Sequence, residues 1–232
     1  MPHPILLVPG LGCTAAAFTA QLPQLWLTGP VMIANTLEGT TIAEIATAIL
    51  AAAPPRFHLL GFSMGGYIAF EIMRQAPERV TGLCLLDTQA RPDAPEATEK
   101  RLAAIALAEE GKYALAAAQS FRLAVHPDNA DSAELKAMHV GMALAVGAET
   151  YVRHQRAIMA RVDSRPDLGT IKMPTLIVVG EGDAITPPAL AEEMHAGIPH
   201  SRLVVVPGGG HMAVLEQPDI VTEALLQWAA ER

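Results

Sequence analysis

The sequence predicts an α/β protein: a mostly parallel sheet covered by helices on both faces, with an all-helical insertion. Three observations predict it. Short apolar runs of strand length alternate with amphipathic helical stretches. Most of those runs are continuously apolar, as strands buried on both faces are. Between about Arg91 and Leu168 the alternation stops, and only Ala-rich helical stretches remain. With 232 residues, 51% of them hydrophobic and 17% charged, the chain is long enough to bury a sizeable core.

The expected strands are Pro4–Val8, Val31–Asn35, Phe57–Leu60, Val80–Asp87, Thr175–Val179 and Leu203–Val206. Between the second and third, Thr41-x-x-Glu44 is a capping-box pattern ahead of the apolar stripe Ile42, Ile45, Ala46 and Ile49. After the third, Tyr67 to Gln75 reads as helix, with Ile68, Ala69, Ile72, Met73 and Ala76 recurring at three- and four-residue steps. The insertion offers helices over Glu96–Glu109, Lys112–Ala124, Ser132–Val146 and Glu149–Val162, separated by Gly111, Pro127-Asp-Asn129 and Gly147. It carries 10 Lys/Arg against 11 Asp/Glu, so nearly all of the net charge of −8 falls on the remainder. Pro187-Pro188 opens a further helix, and Pro218 suits the first turn of the last one, whose buried face is Val221, Ala224, Leu225 and Trp228. The core is therefore expected over residues 1–90 and 169–232, with 91–168 as the inserted unit.

Acidic balance argues against nucleic acid or an anionic membrane as partner. Cys13 and Cys84 are too few for a disulfide scaffold, and no metal-type Cys/His spacing occurs, so no metal and no cofactor are expected. The first charged side chain that is not histidine is Glu38. The opening stretch still does not read as a signal peptide, because it lacks a basic segment and prolines and glycines break every apolar run. A soluble, cytoplasmic protein is expected.

The chemistry centres on Gly61-Phe62-Ser63-Met64-Gly65-Gly66, a serine between glycines where a strand turns into a helix. A turn this tight admits only minimal side chains at its flanks. It lifts the serine Oγ above the sheet edge, beside the N–H groups of a helix start. Serine needs a base and a group to orient that base. Val205-Val-Pro-Gly-Gly-Gly-His211 is a strand leaving into a glycine loop that ends in histidine, which marks His211 as the base. His3, His58, His126, His139, His154, His195 and His200 lack such a setting and are read as surface or capping residues. Leu176-Ile-Val-Val-Gly180-Glu-Gly-Asp183 places a carboxylate just past a buried strand, so Asp183 is the orienting acid, with Glu181 and Asp87 as rivals. The loop Val8-Pro9-Gly10-Leu11-Gly12-Cys13 faces the serine, and the N–H groups of Leu11 and Met64 are the expected oxyanion donors.

Pro9-Gly10-Leu11, Gly61-Phe-Ser63-Met-Gly65-Gly66, Leu86-Asp87, Met173 to Asp183 and Gly210-His211 together resemble the α/β-hydrolase superfamily, over essentially the whole chain. The order Ser, Asp, His is that family's order. The resemblance implies that residues 91–168 form a helical cap over the active site. Two departures stand out. The family normally has two further strands before the Pro-Gly-Leu loop, so a sheet of about six strands is expected, with the Val31 strand at an edge that a homodimer would cover. Pro9 stands where the family usually has histidine, which leaves the backbone donor intact.

The expected activity is that of a carboxylesterase-like serine hydrolase cleaving a small carboxylic ester or lactone through an acyl-enzyme. Carbon–carbon bond hydrolysis and cofactor-free perhydrolysis use the same fold, and a non-catalytic ligand receptor is the remaining alternative. The expected pocket walls are Leu11, Cys13, Met64, Phe121 and Met212. Arg153 and Arg156 (with Arg161) would serve an acidic substrate, unless they form ion pairs.

Overall fold

The computed structural model describes residues 3–231. Six strands form one sheet in the order β2-β1-β3-β4-β5-β6, and every neighbouring pair is parallel. They are β1 (Ile5–Val8), β2 (Val31–Ile33), β3 (Phe57–Phe62), β4 (Val80–Leu86), β5 (Thr175–Gly180) and β6 (Arg202–Val206). The helices are α1 (Leu22–Thr28), α2 (Ile42–Ala52), α3 (Met64–Gln75), α4 (Pro95–Glu109), α5 (Tyr113–Ala124), α6 (Ala133–Val146), α7 (Ala148–Met159), α8 (Pro188–Gly197), α9 (Ala213–Glu216) and α10 (Pro218–Ala230).

Continuous apolar strands make sense because each face of the sheet has its own core. Leu6, Val8, Leu59, Leu83, Leu85, Ile177 and Val179 point to the face covered by α2, α3 and α8, against Ile45, Ile68, Ile72 and Met194. Ile5, Leu7, Leu60, Cys84, Leu86, Leu176 and Val178 point the other way, against Leu25 of α1 and Val221, Leu225 and Trp228 of α10. The four residues expected to form the buried stripe of the last helix are the four that α10 buries.

Several boundaries differ from expectation. Helix α3 begins at Met64, directly after the serine, so the turn spends no residue on a linker. Helix α1 was not foreseen: Pro23 lies in its first turn, where a missing N–H costs nothing. Helix α7 ends at Met159 instead of Val162. There Arg161 turns back and donates to the carbonyls of Ile158 and Arg91 and to Asp93. The cap of α2 is also shifted: Thr41 accepts from the Glu44 N–H, but Glu44 reaches Thr40 and not Thr41. His58 and His154 are buried, not on the surface; each ring pairs inside the fold, with Thr81 and with the Thr36 carbonyl.

Helices α4 to α7 all fall between β4 and β5 in the chain, with no strand among them. Met142 and Phe121 of this insertion join the core cluster that contains Cys13 and Met212. Its two ends are tied together and to the core. Asp93, nearly buried, pairs with Arg101 and Arg161 at 2.6 Å each. The Arg161 guanidinium lies 4.1 Å from the centre of the Tyr67 ring in α3. No helix among the described residues is long and apolar enough to cross a membrane. Strand β2, three residues long, is one edge of the sheet.

Candidate active site

Ser63 sits between β3 and α3 with φ 53° and ψ −115°, a backbone conformation that side-chain-bearing residues rarely adopt. The neighbouring glycines make this turn sterically feasible. A Cβ at Gly65 would strike the Val8 carbonyl oxygen, and one at Gly61 would strike Gly65. Gly10 approaches less closely from the other side, where a Cβ would lie 3.1 Å from that of Ser63. The serine is therefore clamped between the ends of β1 and β3 and the first turn of α3.

Three side chains from three separate segments form a continuous hydrogen-bonded chain. Ser63 Oγ lies 2.8 Å from His211 Nε2, and His211 Nδ1 lies 2.8 Å from Asp183 Oδ2. With Nδ1–H donating to the carboxylate, Nε2 is left to accept the serine proton. Asp183 is only 3% exposed. Its Oδ1 accepts the N–H groups of Ile185 and Thr186, and its Oδ2 also accepts the Thr186 hydroxyl at 2.7 Å. Burial alone would push this carboxyl up, but His211 and the Thr186 donors outweigh it and hold the group below its ordinary range.

Both rivals for the acid are placed elsewhere. Glu181 is exposed at the rim, where its carboxylate accepts the Gly208 N–H. Asp87 is fully buried at the end of β4, with Oδ1 accepting the Gly180 N–H at 2.8 Å and Oδ2 without a partner among the described residues. Burial, followed by repulsion from Asp183, raises its pKa well above the ordinary value. Burial thus favours the neutral form of this acid over the carboxylate.

The backbone N–H groups of Leu11 and Met64 have no acceptor among the described residues. Cys13, Phe121 and Met212 lie in one apolar cluster with Phe62, whose ring centre is 5.8 Å from that of His211. Burial pushes the Cys13 thiol up to about 12, so it acts as an apolar side chain and not as a nucleophile. Arg153 and Arg156 are not brought to this cluster. Arg156 pairs with Glu109 at 2.7 Å on an exposed surface, and Arg153 donates to the Leu37 carbonyl and lies 3.6 Å from Glu149. They form the ion pairs that were the alternative for them.

Two supports escaped the sequence reading. Thr186, three residues past Asp183, binds the acid with both its N–H and its hydroxyl; the i, i+3 spacing is the one available signal. Glu216 accepts the Gly210 N–H at 2.7 Å, the His126 N–H at 2.6 Å and the Asn129 side chain at 2.9 Å. It thus joins the histidine loop to the segment after α5, as does the Met212 N–H donated to the Ala124 carbonyl. Nothing in the sequence marks Glu216.

This arrangement and fold define a family. Residues 5–224 match the model of the alpha/beta hydrolase family, and the chain belongs to that family. It is 29% identical to the pimeloyl–acyl-carrier-protein methyl ester esterase of Neisseria meningitidis, over 93% of this chain and 89% of that protein. It resembles the solved thermophilic esterase of Thermogutta terrifontis at 30% identity with a TM-score of 0.87, covering 97% of this chain and 89% of that one. The enol-lactonase of Burkholderia xenovorans LB400 superposes with a TM-score of 0.89 over 100% of this chain and 92% of that one. At 23% identity that likeness shows the fold alone.

Proposed function

We propose that the protein is a serine hydrolase that cleaves a small carboxylic ester or lactone. The observation that carries this reading is the unbroken chain from Ser63 through His211 to Asp183, with 2.8 Å at each link and the serine held at φ 53°. Ser63 Oγ attacks the carbonyl carbon while His211 Nε2 takes its proton. Asp183 fixes the histidine tautomer and stabilises the imidazolium. The free N–H groups of Leu11 and Met64 receive the oxyanion, His211 returns the proton to the leaving alcohol, and water then releases the acyl group. Residues 91–168 act as the cap, and Cys13, Phe121 and Met212 wall an apolar pocket for the acyl or alcohol part. The esterases among the similar proteins support an ester as substrate. The ion pairs of Arg153 and Arg156 remove the reason to expect an acidic one.

Ser63→Ala tests the reading. It should abolish hydrolysis of short p-nitrophenyl esters and labelling by a fluorophosphonate probe, with the circular dichroism spectrum unchanged. Retention of most of the activity refutes the assignment.

A further inference from the structure

His139, on α6 of the insertion, is a histidine outside the hydrogen-bonded chain at Ser63, with one ring nitrogen that the packing of the fold leaves unused. Three observations place its helix face against the apolar wall of the proposed site. Met142 and Ala143 follow it by three and four residues, on the same face of α6, and both are buried. Ala143 lies over the loop after β1, since a Cβ at Gly12 would come within 3.7 Å of the Ala143 side chain. Met142 shares its cluster with Cys13, Phe62, Phe121 and Met212. The face that carries His139 is therefore turned toward the loop and the apolar wall around Ser63 and His211. The His139 ring itself packs on Phe121, with centres 5.9 Å apart.

Its hydrogen bonds leave one nitrogen unused. Ser120 Oγ gives its hydrogen to the Ala117 carbonyl at 2.9 Å and lies 3.0 Å from His139 Nε2. With that hydrogen on the carbonyl the Ser120 oxygen accepts, and Nε2 is then the protonated nitrogen. Nδ1 has no partner among the described residues, and it is not among the fully buried unpaired atoms. Burial, then the nearby His211, pushes the His139 pKa down, with the Ala117 carbonyl acting against them. At neutral pH the ring is uncharged, and Nδ1 is a free acceptor whose position is set by Ser120 and Phe121.

We propose that His139 is a specificity-determining residue: its Nδ1 accepts a hydrogen bond from a hydroxyl or amide N–H carried by the substrate away from the scissile carbonyl. The substrate class is then an ester or lactone with a polar donor on its acyl or alcohol part, not a plain alkyl ester. The assignment rests on the hydrolase reading above. An acceptor held in an otherwise apolar pocket disfavours a ligand that leaves it dry and unpaired.

The test compares methyl butanoate with methyl 3-hydroxybutanoate, and methyl hexanoate with methyl 6-hydroxyhexanoate, by pH-stat at neutral pH. In the native protein one of the hydroxy esters should be preferred over its partner by about tenfold in kcat/KM, carried by KM, the worth of one hydrogen bond. His139→Phe should bring that ratio to about one. His139→Gln, which keeps an acceptor oxygen, should retain part of it. A loss of packing alone would move both esters of a pair together and leave the ratio unchanged. Absence of any preference in the native protein, or a preference that survives in His139→Phe, overturns the proposal. If no ester is hydrolysed and fluorophosphonate leaves Ser63 unlabelled, it is the hydrolase reading that has failed. Equilibrium binding of the hydroxy esters then decides on His139 separately: an affinity about tenfold weaker in His139→Phe upholds it, and equal affinity overturns it.

Discussion

The ends of β4 and β5 are neighbours in the sheet, and each carries a buried aspartate, yet the two carboxyls are driven in opposite directions. Asp183 accepts two backbone N–H groups and the Thr186 hydroxyl and faces His211, so it stays ionised in spite of burial. Asp87 is buried and feels the charge of Asp183, so its pKa is raised in spite of the Gly180 N–H it accepts. Burial is common to both; the difference is the number of donors and the sign of the nearest charge. Two ionised carboxylates at adjacent strand ends would repel. The fold favours ionisation of the one that touches the histidine and disfavours it in the other, which concentrates the negative charge behind His211.

The largest effect should come from removing that charge. Asp183→Asn is expected to lower kcat/KM on a short ester by about 10⁴-fold, because the amide favours the wrong histidine tautomer. Steady-state kinetics checks this, and a loss of less than about tenfold would transfer the role of acid to another group. A smaller loss is expected from Thr186→Val, which removes one of the hydrogen bonds to Asp183. kcat/KM should fall about tenfold, with the acid limb of the pH–rate profile displaced upward. An unchanged profile would show that the backbone N–H groups alone hold the carboxylate ionised.

The two aspartates should also act oppositely on stability against pH. Asp183, with its folded pKa depressed, contributes stability that is present above the unfolded value near about 4 and is lost as pH falls through the folded value. Asp87, with its folded pKa raised, binds a proton that the unfolded chain has released. Stability therefore declines as pH climbs from about 4 toward its folded value. Asp87→Asn mimics the neutral acid and keeps the acceptor for Gly180. Its urea midpoint should change less between pH 5 and pH 7.5 than that of the native protein, with kcat/KM within about twofold. An unaltered pH slope would mean that Asp87 is ionised after all. The smallest proposal concerns neither strand end: a homodimer across the β2 edge, which a lone monomer boundary in sedimentation at micromolar concentration refutes.

Much of the candidate site is legible one-dimensionally because its geometry is imposed by local backbone. Gly61 and Gly65 are read directly, since any side chain there collides with Gly65 and with Val8. His211 and Asp183 were legible because each follows a continuous apolar strand, and parallel strands bring their ends to one edge. The supports were not. Glu216 reaches Gly210, His126 and Asn129 through a fold that brings residues up to 90 apart in the chain together. His139 resembled any surface histidine, because its apolar helix α6 shows no face whose burial could be read from the pattern. His58 and His154 misled in the same way, being buried beside partners that lie in other elements.

The sequence by itself determined the parallel sheet, the helical insertion and the order serine, aspartate, histidine. These follow from apolar runs, glycine sterics and strand polarity, all of which act within a few residues. Only the tertiary structure decided which aspartate is pushed toward ionisation and which away from it, that Arg153 and Arg156 are engaged in ion pairs, and that His139 packs on Phe121. Those outcomes depend on desolvation and on charges and donors arriving from distant segments, and such contacts exist only once the chain has packed.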